Sequence, residues 1–311
     1  MNVASATGRV VGVVGPTATG KSALAIAVAR AIGGEVVNAD SMQLYRGMDI
    51  GTAKVGPAER AAVTHHLLDI WPVTHPASVA EYQQRARAVI DEMHARGVVP
   101  VLVGGSGLYI RAALDRIEFP GTDPDLRASL ESELAAAGPA ALHERLAARD
   151  PAAAAAILPT NGRRIVRALE VVELTGRPFT AALPRYDEED DALYDVVQIG
   201  LDLDDETLDR RVDDRVEHMF RNGLVAEVRA LAAEGLREGR TASRALGYQQ
   251  ALQVIDGELT GPQAILATAA ATRRFVRRQR SWFRRDPRIT WLRADDPDVA
   301  GLAIGLARAE N

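Results

Sequence analysis

Apolar and polar positions change rhythm twice along the chain. Val10-Val11-Gly12-Val13-Val14 is an unbroken apolar run of strand length, the pattern of a strand buried on both faces. Ser22–Ile32 then takes helical spacing and closes at Gly33-Gly34, and Glu35–Ala39 reads as a second strand. A helix from about Val79 to Arg96 stops at Gly97, ahead of a third buried strand, Val98–Val103. Buried strands separated by helices predict a parallel sheet covered on both sides.

From about Phe119 to Leu183 the pattern predicts helices only. Asp123-Pro124 is an N-cap and first-turn pair, Gly138 a terminator, and Asn161–Thr175 a helix ended by Gly176. The acidic run Asp187–Asp191 reads as a solvated loop before a further strand, Val196–Leu201. The helical middle therefore reads as an insertion that leaves the sheet and returns to it. Residues 1–117 and 192–311 are the two parts of the core, and 118–191 the insertion. A last long helix spans about Pro262 to Arg285.

The first strand runs straight into Gly15-Pro16-Thr17-Ala18-Thr19-Gly20-Lys21-Ser22, which fits G-x-x-x-x-G-K-[ST] in the strand–loop–helix setting that gives the pattern its meaning. Its glycines let backbone N–H groups converge on phosphate oxygens, and the following helix adds its positive end. Lys21 supplies a point charge, and the Ser22 hydroxyl is a ligand for Mg²⁺. The expected fold is thus α/β: a P-loop core with a mostly parallel sheet covered by helices, plus an all-helical insertion domain. The loop grips a di- or triphosphate, and alone it leaves kinases, NTPases and other diphosphate enzymes open.

The chain has no cysteine, hence no disulfide framework and no thiolate metal site, which fits a reducing cytoplasm. No apolar run is long enough to span a bilayer and no signal peptide opens the sequence, so no membrane partner is expected. Of 37 basic residues only Lys21 and Lys54 are lysine. At Lys21 a compact ammonium suits the loop better than a guanidinium, whereas at Lys54 chance and need both stand. His65 and His66, without cysteines or an H-E-x-x-H arrangement, read as structural.

Charge is distributed unevenly. Residues 272–288 hold eight arginines and one acid, a local net charge of +7 in a chain of −5. Solubilising faces usually mix both signs, so a polyanion footprint is the better reading. Two further features bear on the phosphate chemistry. Strand Val98–Val103 ends in Gly104-Gly105-Ser106-Gly107, where many P-loop NTPases place a metal-holding aspartate; glycines there would let a ligand approach or simply make a tight strand–helix turn. Strand Glu35–Ala39 delivers Asp40-Ser41-Met42-Gln43 to the ligand-binding edge of the sheet. Asp40 there could be a metal-shell ligand, a general base or the cap of the next helix.

Taken together, GPTATGKSALAI (15–26), NADSMQLYRGMDIGTAK (38–54), HHLLDI (65–70), VLVGGSGLYIRAAL (101–114), RRIVRALEV (163–171), GLVAEV (223–228), ALGYQQ (245–250) and RRQRSWFRR (277–285) closely resemble the bacterial tRNA dimethylallyltransferases, in order over nearly the whole chain. The resemblance implies transfer of a dimethylallyl group from dimethylallyl diphosphate to N6 of adenosine-37, beside the tRNA anticodon. It places Ser106 in the active-site channel and Arg215 near the diphosphate. It places Arg127 and the segment Arg163, Arg164, Ile165, Val166 and Arg167 toward tRNA. Asp40, Ser41, Met42, Gln43 and Ser106 join them, as do Arg277, Arg278, Gln279, Arg280, Ser281, Trp282, Phe283 and Arg284. Departures from the commonest pattern are conservative: Ser for Thr at 22 and 106, Arg for Lys at 277.

Chemistry then gives Asp40 the role of base for a weakly nucleophilic amine, and gives the loop and Mg²⁺ that of stabilising departing diphosphate. The expected partner is the tRNA anticodon stem-loop, and the expected protein a cytoplasmic monomer, since nothing advertises a subunit interface. A small-molecule kinase, an adenylate isopentenyltransferase and an RNA-binding P-loop switch are the rivals. The arginine helix disfavours the small-molecule readings, and the missing strand-end aspartate disfavours NTP hydrolysis.

Overall fold

The computed structural model describes residues 8–179 and 192–309; the acidic run 187–191 lies outside them. In chain order the elements are β1 (Arg9–Val14), α1 (Lys21–Ile32), β2 (Glu35–Asn38), α2 (Pro57–Ala62), β3 (His65–His66), α3 (Val79–Ala95), β4 (Pro100–Gly104) and α4 (Gly107–Leu114). Then follow α5 (Pro124–Arg149), α6 (Pro151–Ala156), α7 (Gly162–Thr175), β5 (Asp195–Asp202), α8 (Asp205–Arg221), α9 (Leu224–Ala233), α10 (Tyr248–Ile255), α11 (Gly261–Phe283), β6 (Ile289–Arg293) and α12 (Val299–Arg308).

The six strands form one sheet in the order β3-β2-β4-β1-β5-β6, and every pairing is parallel. Residue alternation divides β1 between two cores. Val10 and Val14 face one with Leu102, Tyr82, Leu224 and Tyr248; Val11 and Val13 face the other with Leu24, Val28, Ile199 and Ala303. Both faces are dry, which is why the strand is apolar throughout.

The chain separates into two compact units, residues 1–115 with 189–311, and residues 116–188. The second has its own core, built by Leu130, Leu142 and Leu146 from α5, Ala153 from α6, Ile165 and Leu169 from α7, and Phe179 beyond it. Gly138 does end a helix: it takes φ 79°, ψ 167°, and Pro139 starts a new run, so α5 is two helices abutting at a kink. Asp123 caps the first, accepting from the Asp125 and Leu126 amides.

Lys54, on which the sequence was neutral, is a structural lysine. Its side chain is fully buried, and its ammonium donates to the Tyr45 carbonyl at 2.7 Å, Asp49 at 2.8 Å and Asp69 at 2.6 Å. Three donors meet three acceptors. The two histidines likewise have protein partners: His65 Nδ1 lies 2.7 Å from the Val63 carbonyl and His66 Nε2 2.6 Å from Glu35. Replacing Lys54 by Met strands the buried Tyr45 carbonyl and takes the ammonium from Asp69, which keeps only Arg60, and from the exposed Asp49. We expect a loss of about 3 kcal/mol in urea unfolding, and an unchanged midpoint would remove the lysine from this role.

Candidate active site

The carboxyl edge of the sheet gathers the loop after β1, the turn after β2 and the turn after β4. Gly15 opens the first loop at φ +131°, and a Cβ there would collide with the Leu201 carbonyl, so only glycine permits the chain to leave β1 beside β5. Thr19 Oγ1 donates to the Pro16 carbonyl at 2.9 Å and closes the loop on itself. Gly20 precedes α1 without a side-chain cap, leaving the helix N-terminus for a ligand.

Lys21 turns back to donate to the Pro16 carbonyl at 2.5 Å. Burial, reinforced by the neighbouring positive charge of Arg215 and opposed by Asp40, lowers its pKa to about 7. Burial also lowers that of Arg215, again against Asp40. Two cations thus flank one carboxylate. One oxygen of Asp40 accepts from the Met42 amide at 2.9 Å, capping a turn and not a helix, while its backbone N–H is held by Asn38 at 3.0 Å. The second carboxylate oxygen has no hydrogen-bond partner among the described residues.

Ser41 and Ser106 hydroxyls face each other at 3.4 Å, and Ser106 precedes α4 without capping it. Gln43 and Arg215 both donate to the Thr52 carbonyl, at 3.2 and 3.4 Å. Ser22, part-buried at the start of α1, likewise has no hydroxyl partner among the described residues. Pro16, Thr17 and Ala18 complete the loop, Ala18 with φ 66°.

The glycines after β4 make room for the basic helix. A Cβ at Gly105 would collide with Gln279, and one at Gly107 with Trp282, so α11 approaches the turn at these positions. Gln279 is buried; its amide oxygen accepts from Thr17 N–H at 3.0 Å and its amide nitrogen donates to the Gly105 carbonyl at 2.8 Å. One side chain of the basic helix therefore joins the phosphate loop to the Ser106 turn. Only the glycine spacing hinted at it.

Nor are the eight arginines equivalent. Arg280 is consumed by Asp202, Asp205 and the Leu203 carbonyl, Arg273 pairs with Asp213, and Arg288 with Asp115 and Asp286. Arg284 reaches Asp202 at 3.2 Å but stays largely exposed. Arg274, Arg277, Arg278 and Arg285 are exposed and have no acidic partner among the described residues, with Arg278 over the Phe275 ring at 5.7 Å. Ser281 lies on that exposed stripe, whereas Phe283 is core and Trp282 packs on Gly107.

In the helical unit, Arg127 and Arg167 both hold the fully buried carboxylate of Glu170. Ile165 and Val166 turn into the core, leaving Arg163 and Arg164 exposed at the start of α7.

Residues 43–286 match the model of the IPP transferase family. The chain is 68% identical to a tRNA dimethylallyltransferase of Salinispora tropica, over 97% of this chain and 94% of that one. It is 63% identical to one of Streptomyces coelicolor, covering 96% and 95%. Its structure is similar to the full-length tRNA isopentenylpyrophosphate transferase of Bacillus halodurans, with a TM-score of 0.69, 38% identity, and 96% and 94% of the two chains covered. A eukaryotic dimethylallyltransferase acting on tRNA superposes with a TM-score of 0.81 at 25% identity, over 96% of this chain and 78% of that one.

The lowered pKa of Lys21 has a measurable consequence. Above about pH 7 the free site holds a neutral amine, which must regain its proton to face an anion. Calorimetry of pyrophosphate binding at pH 8 should show wild type taking up about one proton more than Lys21→Arg, which is always charged. The two should agree at pH 6. Equal uptake at pH 8 would contradict the shift.

Proposed function

The chain belongs to the IPP transferase family, and from that premise we propose that it transfers a dimethylallyl group from dimethylallyl diphosphate to N6 of adenosine-37, next to the anticodon of tRNA, releasing diphosphate. The observation that carries this reading is the Asp40 carboxylate. It is fixed through one oxygen, open at the other, and placed among the cations of a phosphate loop.

The chemistry needs both halves. The exocyclic amine of adenine is a poor nucleophile because its lone pair is delocalised into the ring. As its nitrogen bonds to the allylic carbon, the carbon–oxygen bond to diphosphate breaks and the amine proton passes to the open oxygen of Asp40. Charge then accumulates on the departing oxygens, where the loop amides, protonated Lys21 and Arg215 oppose it. Ser106 and Gln43, on the two flanking turns, are positioned to orient the base.

The donor set at the start of α1 fits Mg²⁺. Ser22 offers a hard oxygen with no competing partner. Among the described residues no cluster of three or more His, Cys, Asp or Glu could hold a metal by itself, so the remaining ligands would be diphosphate oxygens and water. Bound there, Mg²⁺ would neutralise charge on the leaving group.

An adenine stacked in an anticodon loop must be turned out to reach this edge, at a cost of about a few kcal/mol. Phosphate contacts from Arg274, Arg277, Arg278 and Arg285 would offset it, with Arg163 and Arg164 as a second set. The remaining arginines shape these surfaces through their ion pairs. The tRNA substrate supports action in the cytoplasm. No helix among the described residues is long and apolar enough to cross a membrane.

Incubation with dimethylallyl diphosphate, Mg²⁺ and unmodified tRNA, followed by digestion, should yield alkylated adenosine. ATP turnover without that product would point to a kinase or switch instead, and alkylation of free adenylate alone to a nucleotide-modifying enzyme. Asp40→Ala should lower turnover about 10²–10⁴-fold with tRNA affinity nearly unchanged; undiminished turnover would remove Asp40 as base. Changing Arg277, Arg278 and Arg285 together to Gln should weaken tRNA binding and flatten the slope of log affinity against log salt by about 2 to 3. An unaltered slope would return that stripe to surface charge.

A further inference from the structure

Outside the reacting group, one carboxylate has unusual surroundings. Glu227 on α9 receives three successive backbone amides from another part of the chain: Asp49 at 3.2 Å, Ile50 at 2.8 Å and Gly51 at 3.4 Å. The Tyr248 hydroxyl, fully buried at the start of α10, donates to the same carboxylate at 2.5 Å. Four donors on one carboxylate make a seat with a defined shape. Gly51 fits it closely, since a Cβ there would collide with the Tyr248 ring and press on Leu224. A loop so held cannot drift without exposing amides that have no other partner.

The next residue faces the site. Thr52 is pinned from its other side by its own hydroxyl, which donates to the Met48 carbonyl at 2.6 Å. Its carbonyl is the acceptor shared by Gln43 and Arg215. We propose that Glu227, with Tyr248, is a positioning residue: it fixes loop 49–52 so that the Thr52 carbonyl holds Arg215 and Gln43 in register with Asp40 and Lys21. This rests on the prenyl-transfer reading for its effect on turnover. The seat itself is independent of it.

Glu227→Gln replaces one acceptor oxygen by a donor that opposes the incoming N–H and O–H groups, and Tyr248→Phe removes a single donor. Hydrogen exchange at the amides of residues 49–51 should accelerate about tenfold or more in Glu227→Gln and less in Tyr248→Phe. That readout needs no reaction. With dimethylallyl diphosphate and tRNA, kcat/KM for the diphosphate should fall about tenfold in Glu227→Gln while tRNA affinity holds.

The division between kcat and KM separates positioning from mere destabilisation. Arg215 and Gln43 meet on the Thr52 carbonyl, so a displaced loop 49–52 raises the KM for the diphosphate. A variant that is only less stable loses active protein and lowers apparent kcat with that KM unchanged. Unchanged exchange at 49–51, or slower turnover with a wild-type KM for the diphosphate, would overturn the proposal. A wild-type enzyme that alkylates no tRNA would overturn the functional reading while leaving the exchange result to judge the seat.

Discussion

Two cations and one carboxylate share the edge of a parallel sheet, and neither cation is well solvated. Burial lowers the pKa of both Lys21 and Arg215, and the charge of Asp40 opposes the shift at both. Such an arrangement is poorly satisfied by itself and well satisfied by a multivalent anion. It also sets the open oxygen of Asp40 at the edge where the proposed transfer needs an acceptor for the amine proton. In the proposed reaction, anion capture and proton removal draw on the same three groups.

The basic helix α11 links this edge to the surface. Its buried side sends Gln279 between the phosphate loop and the Ser106 turn, and its exposed side carries the arginines without acidic partners. Asp202 and Asp205, the acidic partners of Arg280, lie at and just beyond the end of β5. A strand-end aspartate is thus present, but next to β1 and not at β4, and spent on arginines. Half of what looked from charge alone like a uniform footprint is scaffold, and the scaffold places the rest.

Much of this was legible in the chain. The four central strands and the helices that follow β1, precede β4 and end the basic segment were readable from apolar runs bounded by glycine. The phosphate loop was readable from its fixed spacing. The edge strands β3 and β6 were not: one is two residues long, and the other follows Pro287 as ITWLR, too brief for periodicity to separate from loop. The bridge made by Gln279 and the seat made by Glu227 were not readable because each acts on backbone far away in sequence, and backbone amides leave no mark in a residue pattern. What Gly105 and Gly107 make room for stayed open for the same reason. A glycine signals a close approach without naming what approaches.

The most direct test is a structure of the enzyme with an anticodon stem-loop and a thiodiphosphate analogue of the prenyl donor. The diphosphate is expected on the loop amides and Lys21, with the open oxygen of Asp40 about 3 Å from the adenine N6. A nucleoside triphosphate poised as donor in that loop, or a carboxylate turned away from the extruded base, would contradict it.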